Sequence, residues 1–145
     1  QLKANAVSIL TSVFAGSAVG IVSVVLIARW FSAEPALIAS LEPKSVTTPI
    51  AMSIAEKSGG IPSIAAVAVI VVGIFGGIVG PFILDRLGVT SRIARGLALG
   101  SAAHGLGTAR AMELGAVEGA ISGLAIGVMG LMTAVLVPVI EWMLG

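Results

Sequence analysis

The sequence contains no cysteine, one histidine and few charges, with eight Lys and Arg against seven Asp and Glu in 145 residues. The missing cysteines exclude disulfides, thiolate metal ligands and cysteine nucleophiles, and a single histidine leaves too little for a transition-metal site. Only 10% of the residues are charged, whereas a soluble domain carries about a quarter, so a water-soluble globule is excluded. Because no basic block could neutralise a run of phosphates, nucleic acid is not expected as a partner.

The chain is instead strongly apolar, with 57% hydrophobic residues, 19 glycines and a mean hydropathy of +1.13. A helix crosses the hydrocarbon core of a bilayer with about 20 apolar residues. Three stretches meet this requirement: Ala6 to Ala28, Ile61 to Leu84 and Ala116 to Ile140. The sequence therefore predicts an all-α integral membrane protein that is embedded in a lipid bilayer. The sequence opens at Gln1, and because no basic region leads to a cleavage site, we do not expect its apolar start to be a signal peptide. We expect residues 1–145 to be a single transmembrane domain from the C-terminal part of a longer protein.

Two further segments have the length of a crossing but are interrupted near the middle, namely Glu34 to Gly59 and Ser91 to Gly115. Proline and polar residues interrupt the first segment at positions 42–49, and glycines interrupt the second at positions 100–108. Backbone freed by such a break cannot face lipid, so it is buried in protein or lines a wet cavity. If both segments cross, the chain has about five transmembrane segments, two of them discontinuous at mid-membrane. If both are re-entrant, three spans remain.

The two interrupted segments resemble each other, since Thr48-Pro-Ile-Ala-Met52 matches Thr108-Ala-Arg-Ala-Met112. Each is followed by a small-residue stretch and a long apolar span, which gives a weak internal repeat of residues 34–84 and 91–140. Paired interrupted segments in corresponding halves indicate a transporter whose substrate site lies at the bilayer midplane.

The first interruption has the pattern of a helix start, because the hydroxyl residues Thr47 and Thr48 are followed by Pro49. This pattern predicts a hydroxyl cap and a helix that begins at Pro49. Such an N-terminus offers free N–H groups and a partial positive charge, which suit a carboxylate. With the neighbouring Lys44 and Ser45, these residues are the candidate substrate-binding residues of this break. The alternative is that Lys44 snorkels to an interface and the threonines only satisfy backbone groups.

The second interruption repeats the arrangement, with Gly105 and Gly107 allowing close backbone approach, Thr108 able to cap a new helix and Arg110 in its first turn. Facing the first helix start, this one would complete a compact oxyanion-binding cleft. His104 is the side chain here that titrates near neutral pH in water, so it is the candidate to carry a coupling proton or to bond the substrate. The alternatives are that His104 has only a structural role and that Arg110 anchors the chain at the membrane interface.

Other patterns have plainer interpretations. Ser101 lies three residues before His104, but no buried acid follows that would orient the imidazole, so neither catalytic residues nor an enzyme is expected. No metal ion or other cofactor is expected either.

Small residues four apart allow transmembrane helices to pack closely, and we expect that role for four glycine pairs: Gly16 and Gly20, Gly73 and Gly77, Gly76 and Gly80, and Gly123 and Gly127.

Two stretches resemble the signature of the LrgB/CidB family. The first is Pro43-Lys-Ser-Val-Thr-Thr-Pro-Ile-Ala-Met52 with Gly59-Gly-Ile-Pro62 after it. The second is Ala94-Arg-Gly-Leu-Ala-Leu-Gly100 with His104-Gly-Leu-Gly-Thr-Ala-Arg-Ala-Met-Glu113. The chain departs from the family in two ways: members are longer, with further N-terminal spans, and often have serine where this chain has Ala103.

The resemblance implies a multi-pass protein of the bacterial inner (plasma) membrane. Its members are described as antiholin-like modulators of autolysis, and their plastid relatives as glycolate/glycerate translocators. It therefore implies a carrier of small organic monocarboxylates such as glycolate, glycerate or pyruvate, working by alternating access and with possible proton coupling. The rival interpretation is an oligomeric effector that modulates murein hydrolase export and autolysis. A homodimer or higher oligomer, and a small holin-like membrane protein, are the protein partners expected.

Overall fold

The computed structural model describes the backbone of residues 2–144 and the side chains of residues 6–144, and the described backbone is helical without strands. The all-α prediction is thereby confirmed. Six helices follow one another in the described part of the chain: α1 (Leu2–Trp30), α2 (Pro35–Leu41), α3 (Thr48–Lys57), α4 (Pro62–Arg86), α5 (Arg92–Leu114) and α6 (Ala116–Leu144).

Within the described residues, three helices are long and apolar enough to cross a membrane, spanning Ala6–Trp30, Pro62–Arg86 and Ala116–Leu144. They coincide with the three uninterrupted stretches predicted from hydropathy. The expected count of about five spans is not confirmed, because α2, α3 and α5 do not form long apolar helices of this kind. The path of the chain through the two interrupted segments gives the physical reason.

The first interrupted segment folds back on itself. The Ile61 amide, which follows α3, donates to Ser40 Oγ in α2 at 2.7 Å, and a Cβ on Gly60 would meet the Ser40 nitrogen at 2.8 Å. Between these ends the chain reaches Val46, which is buried with Val13, near the middle of α1. Residues 35–57 therefore form a first helical hairpin that returns to the end of the bundle from which it enters.

The second interrupted segment also reverses direction. His104 interrupts α5 with φ 41° and ψ −126°, and a Cβ added to Gly107 would overlap the Leu99 carbonyl oxygen. In a straight helix these two residues would be about 12 Å apart. Gly100 and Thr108, on either side of the reversal, both contact Ser122 of α6. The two halves of α5 therefore form a second helical hairpin.

The position of this reversal corrects the expected break over positions 100–108. The chain turns at the single residue His104, and a second helix does not start at Thr108, whose hydroxyl shares a 2.7 Å hydrogen bond with Ser122 Oγ instead of capping. The reason is packing: Gly100 and Gly107 remain helical and serve close contacts.

The two hairpins enter from opposite ends of the bundle. Helices α1 and α6 run parallel, since Ser17 Oγ lies 3.1 Å from Thr133 Oγ and Arg29 Nη1 donates to the Leu144 carbonyl at 3.0 Å. The first hairpin follows the end of α1, and α4 then leads the chain back to the opposite end. There Asp85 of α4 pairs with Arg95 at the start of the second hairpin, at 2.6 Å. Both repeat halves, 34–84 and 91–140, thus place a hairpin before a long helix, in opposite orientations.

Glycines decide which helices approach closely. A Cβ on Gly73, Gly76 or Gly80 of α4 would meet a side chain of α5 at 2.5, 2.6 and 2.8 Å respectively, so this stripe serves packing inside the chain. A Cβ on Gly123 or Gly127 of α6 would meet no other described atom within 4 Å. These two glycines leave one face of α6 open to a neighbouring helix.

Candidate functional site

The tips of the two hairpins meet beside α4. Thr47, Thr48 and Pro49 of the first tip line a cleft of about 400 Å³ together with His104 and Gly105 of the second. Val69, Ile70 and Leu106 complete its lining. We refer to this space as the tip cleft. It brings together five of the residues proposed from the sequence.

The first tip is a helix start without a side-chain cap. Thr47 is extended (φ −69°, ψ 151°), its carbonyl accepts from the Ala51 amide at 2.9 Å, and α3 begins at Thr48. Pro49 lies in the first turn, where its missing N–H is harmless. The Thr47 hydroxyl makes no capping hydrogen bond, so the expected cap is wrong and the expected start is displaced by one residue. The cleft is thus lined by an uncommitted hydroxyl and the positive end of a helix dipole.

The second tip is held by His104, which is only 5% exposed. Its Nε2 lies 2.8 Å from the Val69 carbonyl, and because a carbonyl can only accept, Nε2 carries the hydrogen and donates. The ring packs against Gly73, where any Cβ would come within 2.5 Å of it. With Nε2 engaged, Nδ1 is the ring atom available to a ligand or a second proton. The positive φ of His104 lies in the region that favours glycine, so this contact also stabilises a strained backbone.

Lys44 and Ser45 line a different space, of about 540 Å³, bounded by α1 and by the first half of α5. Lys44 Nζ donates to Ser45 Oγ at 3.2 Å and lies against Gly20. Among the described side chains, no carboxylate lies within ion-pair distance of Lys44. We call this space the lysine cleft. It shares no lining residue with the tip cleft, so Lys44 is separated from Thr47 although both belong to the same tip.

Three further candidates do not line the tip cleft. Gly107 is buried against the Leu99 carbonyl, and Thr108 is buried with its hydroxyl bonded to Ser122. Arg110 is exposed and pairs with Glu113, so it faces away from the two tips. The single compact cleft with Lys44 and Arg110 on facing helix starts is therefore not what the structure shows. The reversal at His104 sends the following helix back along the first half of α5, so Arg110 is carried away from the tips.

Sequence reasoning missed the residues that support the site. Ser12 lines the lysine cleft from α1, and Ser101 does so from α5. The Val69 carbonyl fixes the imidazole of the second tip, and Gly73 makes room for it. The spacing of Gly73 and Gly77 in the sequence indicates close helix packing, but it does not identify His104 as the residue that lies against Gly73. Within residues 6–144, no three His, Asp or Glu side chains are placed to share a metal ion.

Comparison with known proteins agrees with the motifs. The LrgB-like family matches residues 1–143. The chain is 43% identical over 137 residues to the uncharacterized protein YwbG of Bacillus subtilis (strain 168), covering 94% of this chain and 61% of that protein. It is 38% identical over 138 residues to the antiholin-like protein LrgB of Bacillus mycoides, covering 95% of this chain and 60% of that protein.

An uncharacterized protein of Haemophilus influenzae is 38% identical over 130 residues, which are 90% of this chain and 56% of that protein. The chain thus spans about 60% of the length of the curated relatives that it matches. No solved structure matches it.

Proposed function

The chain belongs to the LrgB-like family, and we propose that it forms the core of a multi-pass transporter for small organic monocarboxylates in the bacterial inner membrane. The substrates proposed are of the glycolate, glycerate and pyruvate kind. One observation carries the proposal: two helical hairpins enter from opposite ends and line a common cleft with their tips. Interrupted helices in inverted halves, with polar backbone at mid-height, are the arrangement by which many carriers bind a substrate between two gates.

The chemistry of the tips supports an anionic substrate. The N-terminus of α3 opens onto the tip cleft with the Thr47 hydroxyl uncommitted, and a helix N-terminus favours a carboxylate. His104 Nδ1 is the adjacent group that accepts a hydrogen bond or carries a coupled proton. The hydroxyl of a 2-hydroxy acid finds donors and acceptors in the two threonines. Non-covalent binding of this kind needs no catalytic group, cofactor or metal ion.

Lys44 provides the cation for this mechanism. Lys44 lies in the lysine cleft, on one side of the first tip. Thr47 lies in the tip cleft, on the other side of the same tip. A shift of the first tip between α1 and α4 would exchange which cleft is open. The carboxylate would then pass from the cation to the helix start, which is alternating access around one moving hairpin. Lys44 is half-buried. A lysine that is partly removed from water and has no carboxylate partner is stabilised when it binds an anion.

The test is uptake of radiolabelled glycolate and pyruvate into liposomes that hold the full-length parent protein, with and without a pH gradient. We expect saturable uptake that falls at least tenfold in Lys44→Ala and is unchanged in Lys57→Ala, an exposed lysine of the same hairpin. Uptake that depends on the gradient and loses this dependence in His104→Gln would assign the coupling proton. Unchanged uptake in Lys44→Ala contradicts the site.

The second candidate function is an antiholin-like oligomer that modulates murein hydrolase export and autolysis. The names of several relatives favour it, and so does the open face of α6 at Gly123 and Gly127, which suits a homo-oligomer or a small holin-like partner. Such a protein would release unrelated dyes from the same liposomes and would depend steeply on its own concentration. Saturable and substrate-specific uptake without dye release decides for the transporter.

A further inference from the structure

A further group of polar side chains lies at the end of the bundle where α1 and α6 finish. A space of about 350 Å³ is lined there by three ionisable side chains, Arg29, Glu42 and Glu141, and by Ser58; we call it the carboxylate cleft. It shares no lining residue with the tip cleft or the lysine cleft. Nothing in the proposed binding of a monocarboxylate uses these residues.

Glu42 is the unusual member of this group. Its side chain belongs to the first residue after α2 and is only 5% exposed. Within the described residues, Glu42 Oε2 is a buried side-chain oxygen that no donor reaches. A buried carboxylate is normally paired or hydrogen-bonded, because leaving it unpaired in an apolar site is very unfavourable. The orphaned oxygen therefore indicates a missing hydrogen-bond donor.

The neighbours of Glu42 narrow down what that donor is. Glu141 of α6 and Arg29 of α1 line the same cleft as Glu42, so a second carboxyl and one guanidinium act on the Glu42 carboxyl. Arg29 directs Nη1 to the Leu144 carbonyl at 3.0 Å. Two ionised carboxylates in one cleft can only accept hydrogen bonds, and their like charges repel each other. One proton between them turns one carboxyl into a donor to the other.

We propose that Glu42 and Glu141 form a proton-binding pair, in which one carboxyl donates to the other and Arg29 balances the remaining negative charge. With the proton the group of three side chains is neutral, and without it the group carries one net negative charge inside the cleft. A bound metal cation is the competing occupant. The guanidinium already supplies positive charge beside the pair, and two carboxylates offer few oxygens for a hard cation.

The pair also joins α6 to the hairpin whose tip shifts in the proposed transport cycle. Glu141 belongs to the long helix α6, whereas Glu42 opens the break that leads to Lys44 in the first hairpin. Protonation holds this end of the hairpin against α6. Loss of the proton places two like charges at the contact and favours release of the hairpin. This consequence rests on the proposed function, whereas proton binding by the pair does not.

The test uses the full-length protein and needs no transported substrate. We expect the melting temperature of the wild type to fall as the pH rises through the loss of the shared proton. In Glu42→Gln the amide is a permanent donor to Glu141, so this fall should shrink to less than half. The infrared C=O band of a protonated carboxylic acid should be present in the wild type and lost in the variant. Glu56→Gln removes an exposed acid of the same hairpin and should keep the wild-type profile.

Glu141→Gln is the second variant, with the same expectation, should Glu42→Gln not fold. The proposal is overturned if both variants keep the wild-type pH profile, or if the infrared band persists in both. It is also overturned if the melting temperature follows the sodium or potassium concentration at fixed pH, which would assign a metal cation to the cleft. None of these outcomes depends on uptake, so failure of the transporter proposal is distinguishable from failure of this one.

Discussion

The two hairpins meet at one cleft but are built and held in different ways. The first turns through the six residues between α2 and α3, 42–47, and its Thr47 hydroxyl makes no capping hydrogen bond. The second turns at His104 alone, with helix on both sides, and is fixed by the bonds from His104 to Val69 and from Thr108 to Ser122. These bonds tie the second hairpin to α4 and α6 on both sides of its reversal.

The first hairpin is held by fewer hydrogen bonds at its tip. Its ends are joined by the bond from the Ile61 amide to Ser40, and Glu42, in the cleft beside α6, has one carboxylate oxygen that no donor among the described residues reaches. Its tip carries Thr47, whose hydroxyl makes no capping bond, and Lys44, which has no carboxylate within ion-pair distance among the described side chains. A region that moves is drawn from the less strongly tied part of a fold. If the proposed transport cycle operates, we therefore expect the first hairpin to move against the second.

The largest effect is expected from a methyl group inside the reversal of the second hairpin. In Gly107→Ala the new Cβ would lie on the Leu99 carbonyl and 2.8 Å from the Ala103 Cβ. Backbone cannot yield as a flexible side chain does, so we expect the free energy of unfolding to fall by about 3 kcal/mol. Thermal or denaturant unfolding of the purified protein in detergent measures the change.

Gly105→Ala is the matched control, two residues away. A Cβ on Gly105 would meet nothing within 4 Å, and alanine is the better helix former by up to about 1 kcal/mol. We expect this variant to be as stable as the wild type or more so. Equal destabilisation by both substitutions would contradict the sharp reversal at His104.

A smaller effect is expected from the buried hydroxyl pair of the second hairpin. Thr108→Val leaves Ser122 Oγ buried without its 2.7 Å partner, which lowers the free energy of unfolding by about 1–2 kcal/mol. Ser122→Ala should do the same, and the double variant should lose less than the sum of the two. Thr11→Val is the control, since the Thr11 hydroxyl is exposed and bonds to its own helix backbone. Strictly additive losses would show that this bond does not tie the second hairpin.

Local sequence was sufficient for the long helices and for the first tip. Apolar runs located α1, α4 and α6, and the pattern around Pro49 placed the start of α3 within one residue. These features depend on hydropathy and on backbone preferences of adjacent residues. The direction of the first hairpin was not predictable, because it is decided by the contact of Ser40 with Ile61 across the fold.

Sequence was insufficient wherever a distant partner decides the outcome. His104 carries the reversal although three nearby glycines are better suited to a break, because the Val69 carbonyl and the space over Gly73 hold the imidazole. The local sequence indicates that Glu42 is a loop residue beside a proline, yet it is buried in a cleft that Glu141, from the far end of the chain, also lines.

The smallest effect concerns the Thr47 hydroxyl and separates binding from stability. Replacing an N-cap threonine with alanine costs about 1 kcal/mol where the hydroxyl caps the helix. Thr47 makes no capping bond, so Thr47→Ala should change the free energy of unfolding by less than about 0.5 kcal/mol. Ser91→Ala is the matched control, because Ser91 Oγ does accept from the Ala94 amide, at 3.4 Å, and its loss should be destabilising. If Thr47→Ala also raises the KM for glycolate several-fold, its hydroxyl serves the substrate. A stability loss as large as that of Ser91→Ala would show instead that the first tip is as firmly capped as an ordinary helix, and the contrast between the two hairpins would fail at this residue.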